Sequence, residues 1–154
     1  MATVYNTSIA LTLTPRWHID PPEIIIRAND QTQQILLDHT QTFYFDFCSP
    51  PGDITVSVEL INKKDSDTVP EKKLDKAVII DALSVNSISD VRFVWNGQYQ
   101  PKYPEPWYSE QTIRPDAVLK NHNYLGWNGV WSIQIQVPAF LWMHQLLGLG
   151  WVYD

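Results

Sequence analysis

The chain has 154 residues and a formal net charge of -6, with a pI of about 5.0. This length fits one domain with a sizeable core. Hydrophobic residues make up 44% of the chain and charged residues 18%, a composition that indicates a globular protein. The acidic balance argues against general binding to nucleic acid or to an anionic membrane surface. Cys48 is the only cysteine, which excludes an intrachain disulfide and a two-cysteine zinc site.

The N-terminal stretch predicts no signal peptide, because it has no cationic leader and its apolar residues are interrupted by Thr and Ser. No run reaches the ~18 consecutive apolar residues that a membrane span needs. We therefore expect synthesis in the cytoplasm, with any release by a route such as virion assembly and lysis.

The first half of the chain alternates apolar and polar residues with a period of two, which predicts antiparallel β-strands. The predicted strands are residues 8–14, 23–28, 33–38, 42–47 and 54–61. The polar turn at 29–32 predicts a hairpin, and a second turn is predicted at 49–53. In the last of these strands, alternate residues point inward: Ile54, Val56, Val58 and Leu60.

The second half of the chain continues the β pattern and ends in a predicted helix. Residues 76–85 are apolar on both faces, which is typical of a central strand, and further strands are predicted at 91–95 and 130–137. Trp95 and Trp131 fall on inward-facing positions, so we expect both in the core. A short helix is predicted after Pro138, at 139–147, ending at Gly148. About eight strands with Pro and Gly turns predict a single all-β domain over 1–154, an antiparallel β-sandwich or jelly roll.

Residues 98–118 break the alternation with four prolines and four aromatic residues. A loop of this length in a compact domain usually carries function or packs as an arm against a partner. The alternative is a surface crossover whose rings fold onto the sandwich. The candidate contact residues in this segment are Tyr99, Tyr103, Trp107 and Tyr108.

Aromatic residues are also concentrated further along, since six of the seven tryptophans follow residue 90. Trp127 lies between Gly126 and Gly129 in a predicted tight turn, which suits a contact role as well as a brace for the fold. The apolar ending at 147–154 is expected to dock on its own core or on a neighbouring subunit.

The segment 62–75, between two predicted strands, carries oxygen ligands of the kind that calcium prefers. Its candidate metal ligands are Asn62, Asp65, Asp67 and Asp75. The spacing is not that of an EF-hand, and five nearby lysines weaken the negative field. The segment is therefore either a calcium loop or a solvated connection balanced by its own lysines.

Catalytic motifs are missing from the sequence, so we expect no enzyme. The four histidines are scattered without a metal-binding spacing, and neither GxSxG nor a glycine-rich phosphate loop is present. No pair among the 17 acidic residues is singled out for glycoside hydrolysis.

Several segments together resemble small proteins of tailed phages from marine or cyanobacterial hosts, generally labelled virion structural proteins. The residues that carry this resemblance are "NKKDSDT", "AVIID", "YPEPW", "HNYLGWNGVW" and "GWVYD". An acidic loop between sandwich strands is also similar to calcium-dependent carbohydrate-binding modules of the xylan-binding type. That similarity implies calcium at Asp65 and Asp67, with Asn62 and Asp75 as further ligands, coordinating sugar hydroxyls directly.

Two functions follow as expectations. The first is a non-enzymatic surface component of a phage virion, as capsid decoration or as part of a tail or fibre. It would act by contact with other virion proteins or with itself, in a homo-oligomer such as a trimer. The alternative is a calcium-dependent carbohydrate-binding module that attaches to host or environmental polysaccharide. Neither function involves nucleic acid or a membrane.

Overall fold

A computed structural model describes residues 3–148, so the predicted docking of the apolar ending at 149–154 lies outside the described residues. Within this range eleven strands and three α-helices follow one another. They are β1 (Tyr5–Arg16), β2 (Glu23–Ala28), β3 (Gln31–Leu36), β4 (Gln41–Ser49), β5 (Gly52–Leu60), β6 (Ala77–Val85), β7 (Ile88–Ser89), α1 (Val91–Trp95), β8 (Gln98–Pro101), α2 (Trp107–Glu110), β9 (Leu119–Lys120), β10 (Tyr124–Leu125), β11 (Gly129–Val137) and α3 (Ala139–Leu147).

The strands form two antiparallel sheets. The first has the order β10-β6-β1-β4 with β7 paired to β6, and the second has the order β3-β2-β5-β11-β8-β9. The predicted all-β sandwich with a short C-terminal helix is confirmed. The number of strands exceeds the prediction because four of them have only two to four residues, too few for alternation to reveal.

The core lies between the two sheets and is formed by the alternate residues of the long strands. All four inward positions predicted for β5 are buried. Across the sheet, β11 pairs with β5 so that Trp131 lies opposite Val58. Trp131 has no exposed surface, which confirms its predicted place in the core.

The predicted strand at 91–95 is wrong, because these residues form helix α1. Asp90 caps the helix by accepting a hydrogen bond from Arg92 N at 2.9 Å. The helical turn buries Phe93 and Val94 and leaves Trp95 38% exposed. The predicted core position of Trp95 is therefore also wrong, since a helix places successive residues around an axis rather than on alternating faces.

Helix α3 confirms the predicted C-terminal helix and ends at Gly148, which has a left-handed backbone with φ of 59°. It packs beside α1, where the Phe93 and Trp142 ring centroids lie 5.1 Å apart. No helix within residues 3–148 has the length and apolar character needed to cross a membrane.

The segment 98–118 is more regular than predicted. It opens with strand β8, which pairs with β11, and contains the one-turn helix α2. Pro101 lies opposite Gly129 in this pairing, and Lys102 N donates to Asn128 O at 2.6 Å. The segment between them, 102–128, which we call the arm, therefore leaves and rejoins the sandwich at neighbouring positions. On its way back it contributes β9, which pairs with β8, and β10, which pairs with β6.

Candidate functional site

Both ends of the Asn62 amide bind the chain itself. Its Oδ1 accepts from Glu23 N at 2.8 Å, and its Nδ2 donates to Pro21 O at 3.1 Å. Asn62 thus fixes the start of the segment 62–75 against the approach to β2.

Lys76 places a buried ammonium among the oxygens of this segment. It has no exposed surface, and its Nζ donates to Asp20 Oδ1 at 2.6 Å and to Asn62 O at 3.3 Å. Asp67 Oδ2 lies 3.4 Å from the same nitrogen and accepts from Lys64 N at 2.7 Å. The Asp67 carboxylate therefore has a lysine of the protein as its counter-charge, which it shares with Asp20.

Asp75 is satisfied in the same way by a second lysine. Its Oδ1 accepts from Lys63 Nζ at 2.6 Å and from Thr68 Oγ1 at 2.8 Å, while its Oδ2 accepts from the Tyr124 hydroxyl at 2.6 Å. Burial tends to raise the pKa of Asp75, but the hydrogen bonds from Lys63, Tyr124 and Thr68 outweigh burial and hold that pKa below its usual value. Lys63 Nζ also donates to Gly126 O.

The four predicted calcium ligands therefore lie in separate surroundings. Asp67 and Asp75 each bind a lysine, Asn62 binds backbone, and Asp65 alone is exposed. Within the described residues no three His, Cys, Asp or Glu side chains are grouped as a metal site. Calcium binding stays a prediction, and Asp65 is the carboxylate that could take part without displacing a lysine.

Four of the predicted contact residues meet in one aromatic cluster. Trp107 and Trp127 have ring centroids 4.8 Å apart, and Tyr103 lies 5.8 Å from Trp107 and 5.6 Å from Trp127. Tyr103 stacks on Tyr108 at 5.5 Å with an interplanar angle of 3°. Residues up to 24 positions apart are thus combined into one surface, whose rings brace one another.

Tyr99 is not a contact residue, which corrects the prediction. It lies on β8 and is fully buried, and its ring stacks on His122 with centroids 5.5 Å apart. Its hydroxyl donates to Trp127 O and accepts from Trp127 N at 3.1 Å. Tyr99 therefore holds the backbone of Trp127 in place from inside the domain.

The segment 62–75 and the arm are joined by Asn128. Its Oδ1 accepts from Lys63 N at 2.7 Å, and its Nδ2 donates to Lys63 O at 3.0 Å. The Lys63 ammonium also lies 5.4 Å from the centre of the Trp127 ring, a favourable cation–π distance. These contacts fix the two segments relative to each other.

A cleft of about 300 Å³ opens between the two segments. Its lining includes two aromatic rings and four charged side chains: Trp107, Trp127, Lys63, Lys64, Lys102 and Asp65. We call it the aromatic–lysine cleft. Both rings were predicted from the sequence as contact residues. The lysines near the segment 62–75 were considered only because they weaken its negative field. Lys102, in "QPKYP", was not predicted as part of a site, although it is the charged residue nearest in sequence to the predicted aromatic contacts.

The chemistry of the aromatic–lysine cleft suits binding. Its rings offer flat apolar faces, and its ammonium groups offer hydrogen-bond donors around them. Asp65 is the single carboxylate among its lining residues, so the pair of carboxylates used in glycoside hydrolysis is not found there.

A larger groove of about 620 Å³ lies over the outer face of the second sheet. Half of its lining residues carry amide side chains, among them Gln98, Gln134, Gln136 and Gln145. Trp142, the aromatic residue in its lining, is only 7% exposed. The groove therefore offers no open ring face, and none of the predicted contact residues lies in it.

No protein-family model, no curated protein and no solved structure matches the chain.

Proposed function

We propose that this protein is a non-enzymatic binding module that holds a glycan in the aromatic–lysine cleft. The observation that carries the proposal is the pair of rings, Trp107 and Trp127, that line a cleft together with hydrogen-bonding side chains. A pyranose has an apolar face of C–H groups and a rim of hydroxyls, so it matches a ring face bordered by polar groups. Pockets of a few hundred Å³ with a few placed polar groups are typical small-ligand sites.

The construction of the cleft also supports binding. Trp107 is 36% exposed, so a sugar can reach its ring. Trp127 is held by Tyr99 on its backbone and by Lys63 over its ring. A site that is rigid before binding loses less conformational entropy when the ligand arrives.

An array of neutral and acidic polysaccharides is the direct test of this function. We expect the wild-type protein to bind at least one polysaccharide, and Trp107→Ala to weaken that binding at least about tenfold, or about 1.4 kcal/mol. The melting temperature should fall only modestly, because Trp107 packs against Trp127 and Tyr103 at the surface and is not part of the core. Trp17→Ala is the matched control, since Trp17 is 41% exposed and does not line the cleft. Binding by Trp107→Ala at the wild-type level, or binding to no polysaccharide, would contradict the proposal.

We also propose that the module is carried on the surface of a phage virion as an oligomer. The resemblance to virion structural proteins supports the virion location, and the surface formed by α1 and α3 supports the oligomer. Large apolar side chains are exposed there: Val91 is 64% exposed, and Trp95 and Leu141 are each 38% exposed. Exposed apolar surface of this kind suits contact between copies.

Light scattering of the purified protein tests the oligomer. The wild type should have the mass of an oligomer, and the double variant Val91→Ser/Leu141→Ser should have that of a monomer. Tyr44→Ser is the control, because Tyr44 is 71% exposed on β4, away from these helices. A monomeric wild type would contradict this second proposal and leave glycan binding unaffected.

A further inference from the structure

The aromatic–lysine cleft collects positive charge in a protein whose net charge is -6. Three of the chain's lysines line it, against Asp65 as the one carboxylate among its lining residues. Charges beside low-dielectric walls, such as tryptophan rings, act over a longer range than charges in open water. The cleft is therefore suited to attract an anion.

The three lysines differ in how much of their charge is available. Lys63 is paired with Asp75 at 2.6 Å, and its side chain is only 10% exposed. Lys64 is exposed, and none of the ion pairs found within residues 3–148 includes it.

Lys102 is also available. Its side chain is 71% exposed, and its Nζ lies 3.6 Å from Glu59 Oε2. Glu59 already accepts a hydrogen bond from Arg27 at 3.1 Å. At this separation, and with the Lys102 end of the pair largely in solvent, the pair contributes little and is easily exchanged for a ligand.

We infer that the glycan is anionic, with a sugar carboxylate or sulfate bound by Lys64 and Lys102 and a pyranose face on Trp107. This inference rests on the proposed glycan-binding function and names the class of its ligand. A neutral sugar would need no uncompensated ammonium beside the rings, since amide groups donate to hydroxyls without the cost of desolvating a charge.

Paired oligosaccharides that differ only in charge test the inference by calorimetry. One pair is an oligogalacturonate and the same chain after reduction of its carboxylates to alcohols. The other is a sulfated carrageenan oligosaccharide and its desulfated form. In at least one pair the anionic member should bind at least about tenfold more tightly at low salt. The difference should shrink at high salt, because the Debye length falls from about 10 Å at 0.1 M to about 3 Å at 1 M.

Charge-removing variants locate the effect. Lys64→Gln and Lys102→Gln should each weaken binding of the anionic member by about fivefold to tenfold, or about 1.0–1.4 kcal/mol. Binding of the neutral member should weaken less than binding of the anionic member, because Gln keeps a hydrogen-bond donor at each position while the charge is lost. Lys72→Gln is the matched control, because it removes the same charge from the same loop at a residue outside the cleft lining.

Asp65→Asn separates direct capture by lysines from capture through calcium. If Lys64 and Lys102 bind the anion, loss of the Asp65 charge should strengthen binding, and a chelator should have no effect. If calcium bridges Asp65 to the sugar, the same variant and the chelator should both weaken binding. The second result would overturn the inference.

The outcomes for the two proposals are distinguishable. Equal binding of the charged and neutral members would overturn the anionic ligand while leaving glycan binding intact. Failure to bind any member of either pair, together with a blank polysaccharide array, would overturn both.

Discussion

The variant Lys76→Met is expected to lower the free energy of unfolding by about 3–5 kcal/mol, which is the cost of breaking a buried ion pair from one side. Lys76 is fully buried, and Asp67 is 1% exposed. Without the ammonium, the Asp67 carboxylate has no counter-charge at 3.4 Å, and Asn62 O loses its lysine donor. Urea denaturation followed by tryptophan fluorescence gives this free energy directly.

Two further variants test the cause. Lys72→Met removes an exposed lysine from the same loop and should change stability by less than about 0.5 kcal/mol. The double variant Lys76→Met/Asp67→Asn should recover part of the loss, because it leaves no bare carboxylate in the interior. A single Lys76→Met variant as stable as wild type would contradict the internal ion pair.

The variant Gly129→Ala is expected to cost about 3 kcal/mol or more, through backbone strain together with overpacking. Gly129 has φ of 151°, and an added Cβ would lie 2.4 Å from Gln100 O and 2.7 Å from Pro101 Cα. These are backbone atoms of β8, so relief requires β8 to move away from β11. Since Lys102 follows directly, glycan affinity should fall together with stability.

Gly52→Ala separates the two causes. Gly52 has nearly the same backbone, with φ of 149°, but an added Cβ would meet nothing within 4 Å. It should therefore show only the cost of strain, about 1–2 kcal/mol. If both glycine variants lose the same free energy, close approach of β8 to β11 does not explain the need for glycine at 129.

Most of the long strands were predictable because they bury one face, so that alternation along the chain records the core. Strand β6 was predictable because its run of residues is apolar on both faces. The hairpin between β2 and β3 was predictable from the polar turn at 29–32. Helix α3 was predictable from Pro138 at its start and Gly148 at its end. Helix α1 was not predictable, because five residues are too few to show a helical period and its valines favour a strand. The one local signal was Asp90, a good N-cap residue.

Parts of the candidate site depended on contacts that no local pattern contains. Lys76 and Asp20 are 56 residues apart, and the meeting of Trp107 with Trp127 depends on the path of the arm. The carboxylates of the segment 62–75 suggested a metal because their lysine partners could not be assigned from sequence. The burial of Tyr99 could have been predicted from the alternation in "QYQ". This alternation places the ring inward, on the face that Trp131 also occupies.

The way the arm leaves and rejoins the sandwich bears on how such a protein can evolve. Its ends meet where Pro101 lies opposite Gly129, so changes in its length add little to the entropy of closing the loop. Trp107, Trp127 and Lys102 all lie between these ends, whereas the long strands that form the core do not. The arm also contains β9 and β10, which belong to the two sheets. Recognition can therefore diversify by replacement of the stretch before β9, which carries Lys102 and Trp107, while selection for folding continues to act on the rest of the chain.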